Sequence, residues 1–190
     1  MKIFLLLLSA LTLAGCQSLQ PVSTPDMPAS LDALSDWNIR GRLGYRAGDE
    51  GGTASLDWRQ RGDSGTMHLS GPLGFGSAEI QWAPGEASLT DGKSTVRSAD
   101  TASLAWRLTG LWLPVEALTY WVRGMPFPHS DYDAGLNDSG ELTQLEQLGW
   151  ALQFDRYSDI GSGLSAPHKI RASREEQRFT LVIQQWEPLP

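Results

Sequence analysis

The chain has 190 residues, with 15 Lys and Arg against 22 Asp and Glu, for a net charge of −7. So acidic a chain excludes a nucleic-acid binder, which needs a basic stripe to displace counterions. It also excludes attachment to anionic lipid through a polybasic patch. The single cysteine rules out a disulfide framework and a thiolate metal cluster.

In chain order, Met1-Lys2 is a minimal positive start, and Ile3 to Leu13 is nearly all apolar. That run is shorter than the ~20 residues of a spanning helix and reads as the core of a signal peptide. It ends in Leu13-Ala14-Gly15-Cys16, a lipobox, so residues 1–15 are expected to be cleaved and Cys16 to be lipidated. Two or three acyl chains on one cysteine anchor stably where a single chain does not. Cleavage removes Lys2 and moves the net charge from −7 to −8. Gln17-Ser18 after the cysteine, with no Asp, resembles an outer-membrane sorting signal, and the expected location is the outer membrane, facing the periplasm. Residues 16–29, rich in Pro, Ser and Thr, read as a lipidated flexible tether. Residues 30–190 then form one domain, opening with a short turn at Ser30–Leu34 that Ser30 caps.

Period-2 alternation dominates the body. Trp37, Ile39, Gly41, Leu43 and Tyr45 share one face of a first strand, with Asn38, Arg40, Arg42 and Gly44 on the other. Asp49-Glu50-Gly51-Gly52 is read as a turn. Leu56 and Trp58 mark the next strand, Met67 and Leu69 a third, Ala78, Ile80 and Trp82 a fourth, and Ala87 and Leu89 a fifth. Such closely spaced strands indicate an antiparallel meander.

The period then changes. Ala102, Leu104, Ala105, Leu108 and Leu111 recur at helical spacing, with Asp100 or Thr101 as cap and Gly110 near the end. A second short helix takes Pro114 in its first turn, carries Leu118, Trp121 and Val122, and stops at Gly124 and Pro126. Residues 127–140 are expected to be a polar loop, and 156–166 a long connection. Between and after them run strands at Leu142 to Phe154, His168 to Ala172 and Phe179 to Trp186. The class is mainly β with a small helical part: a curved antiparallel sheet with short helices packed on it.

No catalytic motif is present. There is no G-x-S-x-G, P-loop, H-E-x-x-H or C-x-x-C, and His68, His129 and His168 have no ligand spacing. No enzyme activity, metal or cofactor is expected. What stands out is apolar area: Trp37, Trp58, Trp82, Trp121 and Trp150 all fall on apolar faces of their elements. Either they fill an ordinary core, or the sheet curls around a hollow that they line. A 16-carbon chain buried there would gain ~13 kcal/mol gross, at ~0.8 kcal/mol per methylene. The loop Gly71-Pro72-Leu73-Gly74-Phe75-Gly76 carries Leu73 and Phe75 at its tip, either folded back or protruding as a membrane-insertion wedge.

Short motifs along the body resemble the outer-membrane lipoprotein receptor family LolB. They are Trp37-Asn38-Ile39-Arg40-Gly41-Arg42-Leu43, Leu56-Asp57-Trp58-Arg59-Gln60, Pro72-Leu73-Gly74, Trp121-Val122-Arg123-Gly124-Met125-Pro126, Gln147-Leu148-Gly149-Trp150, Ala166-Pro167-His168-Lys169-Ile170 and Trp186. The resemblance implies an incomplete, half-open antiparallel β-barrel enclosing a hydrophobic cavity covered by short helices. It implies a monomer that accepts acylated lipoproteins from a soluble periplasmic carrier. Their acyl chains would be held in the cavity and inserted into the inner leaflet of the outer membrane. Leu73 matches the family's apolar loop residue for membrane delivery, whereas Phe75 carries no family role. The competing expectation is a scaffold lipoprotein with a solid core that docks partner proteins.

Overall fold

The computed structural model describes residues 30–72, 76–161 and 163–189. Cys16, the tether and the loop residues Leu73 and Phe75 lie outside the described residues. Six strands come first: β1 (Asp36–Ala47), β2 (Glu50–Arg61), β3 (Ser64–Ser70), β4 (Ser77–Ala83), β5 (Glu86–Thr90) and β6 (Thr95–Ser98). Two helices follow, α1 (Thr101–Thr109) and α2 (Val115–Trp121). The chain then returns through β7 (Tyr132–Leu136), β8 (Leu142–Gln147), β9 (Trp150–Asp159), β10 (Ser165–Arg174) and β11 (Gln177–Pro188).

All the strands join one antiparallel sheet in the order β6-β5-β4-β3-β2-β1-β11-β10-β9-β8-β7. The first and last strands pair at its centre, from Trp37 opposite Pro188 to Ala47 opposite Gln177. β6 and β7 are edges that do not pair with each other, so the barrel stays open. The chain crosses from one edge to the other through α1 and α2. The expected half-open antiparallel architecture with a helical cover is the one observed.

The alternating residues explain the sheet's two faces. In β1, Trp37, Ile39, Gly41 and Leu43 are buried while Arg40 and Arg42 are exposed. The helices have local causes too. Asp100 accepts from the backbone N–H groups of Ala102 and Ser103 at 3.0 and 3.1 Å, satisfying donors that the first turn of α1 leaves free. Gly110 ends α1 at φ 72°, where a side chain is disfavoured, and its N–H donates to Trp106 O at 2.7 Å. Pro114 precedes α2 as its N-cap instead of lying within the first turn.

Three boundaries differ from the sequence expectations. The turn is Gly48-Asp49, and Glu50-Gly51-Gly52 belong to β2. Those glycines serve close approach: a Cβ at Gly51 would lie 2.6 Å from Tyr45 O, and one at Gly52 3.0 Å from the Tyr45 hydroxyl. The 127–140 segment is not all loop, because Tyr132–Leu136 pairs with β8. The 156–166 connection shrinks to residues 160–164, since β9 and β10 stay paired out to Asp159 opposite Ser165. The four residues of β6 carry no alternation that marks a strand.

The two ends of the sheet are distinct. One carries the β1–β2 and β10–β11 hairpin tips, joined by Gly48 N–H donating to Glu176 O at 3.3 Å, together with the β3–β4 and β8–β9 connections. The other carries the β2–β3 turn and the chain's entry, where Gly62 N–H donates to Ser35 O at 3.2 Å.

Candidate functional site: an apolar interior beneath two helices

The apolar faces of the strands look inward, and α1 and α2 press their own apolar faces onto them. Leu104 and Ala105 of α1 and Val115, Ala117, Leu118 and Trp121 of α2 are buried. Between helices and sheet lies an entirely apolar cavity of about 20 Å³. Its walls include Leu43, Met67, Leu69, Ile80 and Trp82 from the sheet and Ala105, Leu108 and Leu118 from the helices. At the chain-entry end is a wider recess of about 430 Å³, lined by Trp37, Trp82, Val115, Tyr120, Arg123 and Phe127 among others. Trp82 and Val115 border both spaces, so these two side chains together stand between them. The recess is within the size range of ligand pockets; the small cavity is not.

Trp82 is seated by an absence. A Cβ at Gly65, its cross-strand partner, would lie 2.2 Å from Trp82 Cζ2 and 2.6 Å from Cε2. The ring therefore rests directly on glycine backbone. From Trp82 a line of rings runs through Trp58, at 5.9 Å between centroids, to Trp37, at 4.9 Å, and on to Trp186, at 5.4 Å. Edge-on and tilted contacts of this kind suit the ring quadrupoles.

The five anticipated tryptophans take different places. Trp82 borders cavity and recess, and Trp37 borders the recess. Trp58, Trp121 and Trp150 line neither and are 0–1% exposed in the packed core. The Trp58 indole N–H donates to Gln60 Oε1 at 3.1 Å, and that of Trp121 to Gln147 Oε1 at 2.9 Å. Trp150 packs against Phe179, with its Nε1 buried and unpartnered among the described residues.

One residue of the site had no sequence signal beyond its place in a motif. Arg123 follows α2 and is only 7% exposed. It donates to Thr119 O at 2.9 Å, Leu31 O at 2.8 Å and Leu34 O at 3.0 Å, and stacks over the Tyr120 ring. Burial weakens its hold on its proton, and nearby Tyr120 and Asp32 partly restore it. A guanidinium satisfied by carbonyls thus ties the entering chain to the helical cover at the rim of the recess. The turn it holds is the one expected at Ser30–Leu34, with Ala33 N–H donating to Ser30 Oγ at 3.3 Å. The void-lining sheet residues were legible as apolar alternation; Arg123 was not, since an arginine normally reads as surface.

A larger groove of about 680 Å³, open to solvent, runs along β2 to β6 and is of mixed lining, with Trp82, Ala83 and Ala87 beside Thr66, Gln81 and Ser88 and with Arg59 and Arg97 at its walls.

The family model "Outer membrane lipoprotein LolB" matches residues 35–186. The outer-membrane lipoprotein LolB of Cellvibrio japonicus is 36% identical over 192 residues, covering 96% of this chain and 95% of that one. That of Stutzerimonas stutzeri is 34% identical, covering 94% and 92%. Among solved structures, a LolA superfamily protein from Nitrosomonas europaea aligns with a TM-score of 0.54 at 12% identity, covering 83% of this chain and 87% of that one. A DUF1329 family protein from Desulfovibrio piger aligns at 0.53 and 10%, with the same coverage. At those identities the structural likeness speaks for the fold alone.

Proposed function

Because the chain belongs to the LolB family of outer-membrane lipoproteins, which serve lipoprotein localisation, we propose that it receives lipoproteins by their acyl chains. A soluble periplasmic carrier of the LolA type hands the client over. The observation that carries this reading is the helical cover over an unclosed sheet with an apolar inner face, with a small apolar cavity and an open recess that share Trp82 and Val115 in their walls. Displacing α1 and α2 outward, with Trp82 turning aside, joins the two spaces into a slot for an acyl chain. Trp37 and Trp82 are its wall residues; Trp58, Trp121 and Trp150 back it as packed core. Cys16 carries the chain's own lipid anchor, and the domain is a monomer facing the periplasm. Leu73 and Phe75 enter the inner leaflet when the client is delivered.

No bond is made or broken in this cycle, so no cofactor or nucleotide is required. Transfer runs downhill from carrier to receptor to bilayer, because each step buries the client's methylenes at least as well as the one before. Charge complementarity between this acidic domain and a basic rim on the carrier would steer the encounter.

One observation favours a second reading. The cavity beneath the helices holds only about 20 Å³ among the described residues, as a docking scaffold with a solid core would have it. The test mixes the chain, with Cys16 replaced, with carrier loaded with an acylated lipoprotein and no ATP. Cargo appearing on both wild type and Leu73→Glu, with delivery to membranes lost only in Leu73→Glu, is the expected result. Absence of cargo from the wild type leaves the scaffold in front.

A further inference from the structure

Among the described residues the exposed large apolar side chains are Leu136, Tyr132, Trp106, Trp112 and Leu148, and the two tryptophans, 49% and 45% exposed, are the ones that meet each other. They are stacked, with ring centroids 5.6 Å apart and planes 22° from parallel. Trp106 lies on α1, and Trp112 in the short link to α2. That link is pinned to one end of the sheet. Trp112 N–H donates to Gln177 Oε1 at 3.0 Å, and a Cβ on Gly110 would lie 3.1 Å from that of Ala47. Ala47 and Gln177 are opposite one another at the end of β1 and the start of β11, the end that also carries the β3–β4 connection.

We infer that the Trp106–Trp112 pair is a membrane-contact site that seats this end of the domain in the headgroup region of the outer membrane. Nothing in the core requires two half-exposed indoles, and leaving them in water forfeits the hydrophobic gain of their burial. A lipid headgroup layer suits them: the ring faces meet apolar chains while the N–H edge stays hydrated. Arg107 is exposed in the last turn of α1, one residue from Trp106, where a long cationic side chain reaches phosphate while its stem lies in the apolar layer.

The chain outside the described residues permits this placement. With the anchor on Cys16, residues 17–29 reach at most ~45 Å when fully extended. The described chain enters at Ser30–Ser35, at the opposite end of the sheet from Trp112. β1 has 12 residues and so spans ~40 Å. The stem is therefore long enough to let the body lie with its far end against the bilayer that holds the anchor. Because the pair sits on the helical cover, membrane contact bears directly on the element that must move for an acyl chain to pass.

The test uses the full, acylated chain in vesicles of phosphatidylethanolamine and phosphatidylglycerol with brominated acyl chains, which quench only indoles in contact with lipid. The quenching measurement needs neither client nor carrier, so its outcome is independent of the transfer reading. Wild type is expected to lose about a quarter of its emission, the share of two indoles among the chain's 8. The double variant Trp106→Ser, Trp112→Ser is expected to lose almost none, with far-ultraviolet circular dichroism showing the same folded sheet as wild type. Equal fractional quenching of the two proteins overturns the inference. So does quenching absent from both, with the double variant instead impaired in accepting cargo from carrier in vesicle-free solution, which would assign the pair to the carrier.

Discussion

Gly65→Ala isolates the part Trp82 plays in the wall between cavity and recess. In a strand interior, alanine in place of glycine is ordinarily worth about 0.5–1 kcal/mol through lower chain entropy. Here the new methyl would lie 2.2 Å from Trp82 Cζ2 and 2.8 Å from Gln60 Oε1. Neither neighbour moves freely, since Gln60 bridges the Trp58 indole and Gly62 O and Trp82 is packed edge-on against Trp58. Overpacking of this kind costs about 1–3 kcal/mol, so the net loss is up to about 2.5 kcal/mol. For a domain of this size that lowers the melting temperature by up to roughly 10 °C. The decisive assay is a double-mutant cycle by urea unfolding with Trp82→Leu, in whose background the obstructing ring is gone. There Gly65→Ala should be neutral or stabilising, giving a coupling of about 2 kcal/mol. Displacing the indole should also raise binding of a hydrophobic dye in the single Gly65→Ala variant. An equal loss from Gly65→Ala in both backgrounds would refute the view that glycine backbone seats Trp82.

Two further outcomes follow from the rim. Arg123→Gln shortens the reach to Leu31 O and Leu34 O, and stranding a buried acceptor costs about 1–3 kcal/mol. Its melting point should fall by several degrees and the Leu34 amide should exchange faster; wild-type protection at Leu34 would contradict the clamp. Asp36 loses some solvation by partial burial, but Gly62 N–H at 2.9 Å and the Arg61 guanidinium at 3.1 Å outweigh it and hold its carboxyl below the usual 3.8. A depressed folded-state value means this stabilisation is present above 3.8 and lost as pH falls below it. Asp36→Asn should therefore be less stable than wild type at neutral pH, with the gap closing in acid; a gap constant from neutral pH to pH 2 would exclude this role.

Much of the fold is legible where one face is wet and the other buried. The alternation at Trp37–Tyr45, Leu56–Trp58 and Ala78–Trp82 marks strands because any other period would bring Arg40, Asp57 or Glu79 into the interior. Asp100 and Gly110 bound α1 by chemistry local to each residue. The edge strands lacked such a signal. β7 is exposed at almost every position and β6 holds only four residues, so their pairing comes from backbone hydrogen bonds that any sequence can make. Trp106 and Trp112 carry no distinguishing signal for the opposite reason: an indole in an apolar stretch reads as core until packing leaves it outside.

By itself, then, the sequence determined the compartment it addresses, the mainly antiparallel class, the helical interruption and the inward apolar set, all consequences of local periodicity and short motifs. Tertiary structure decided what depends on contacts between residues distant in the chain. β1 pairs with β11 across nearly the whole sequence, so the sheet's order is closed by its two ends meeting and not by any local turn. Gly65 became the seat of Trp82, and Arg123 found the carbonyls of Leu31 and Leu34. Which tryptophans border a space and which fill the core was likewise decided there, because a strand's phase tells a side chain which way to face but not what it will meet.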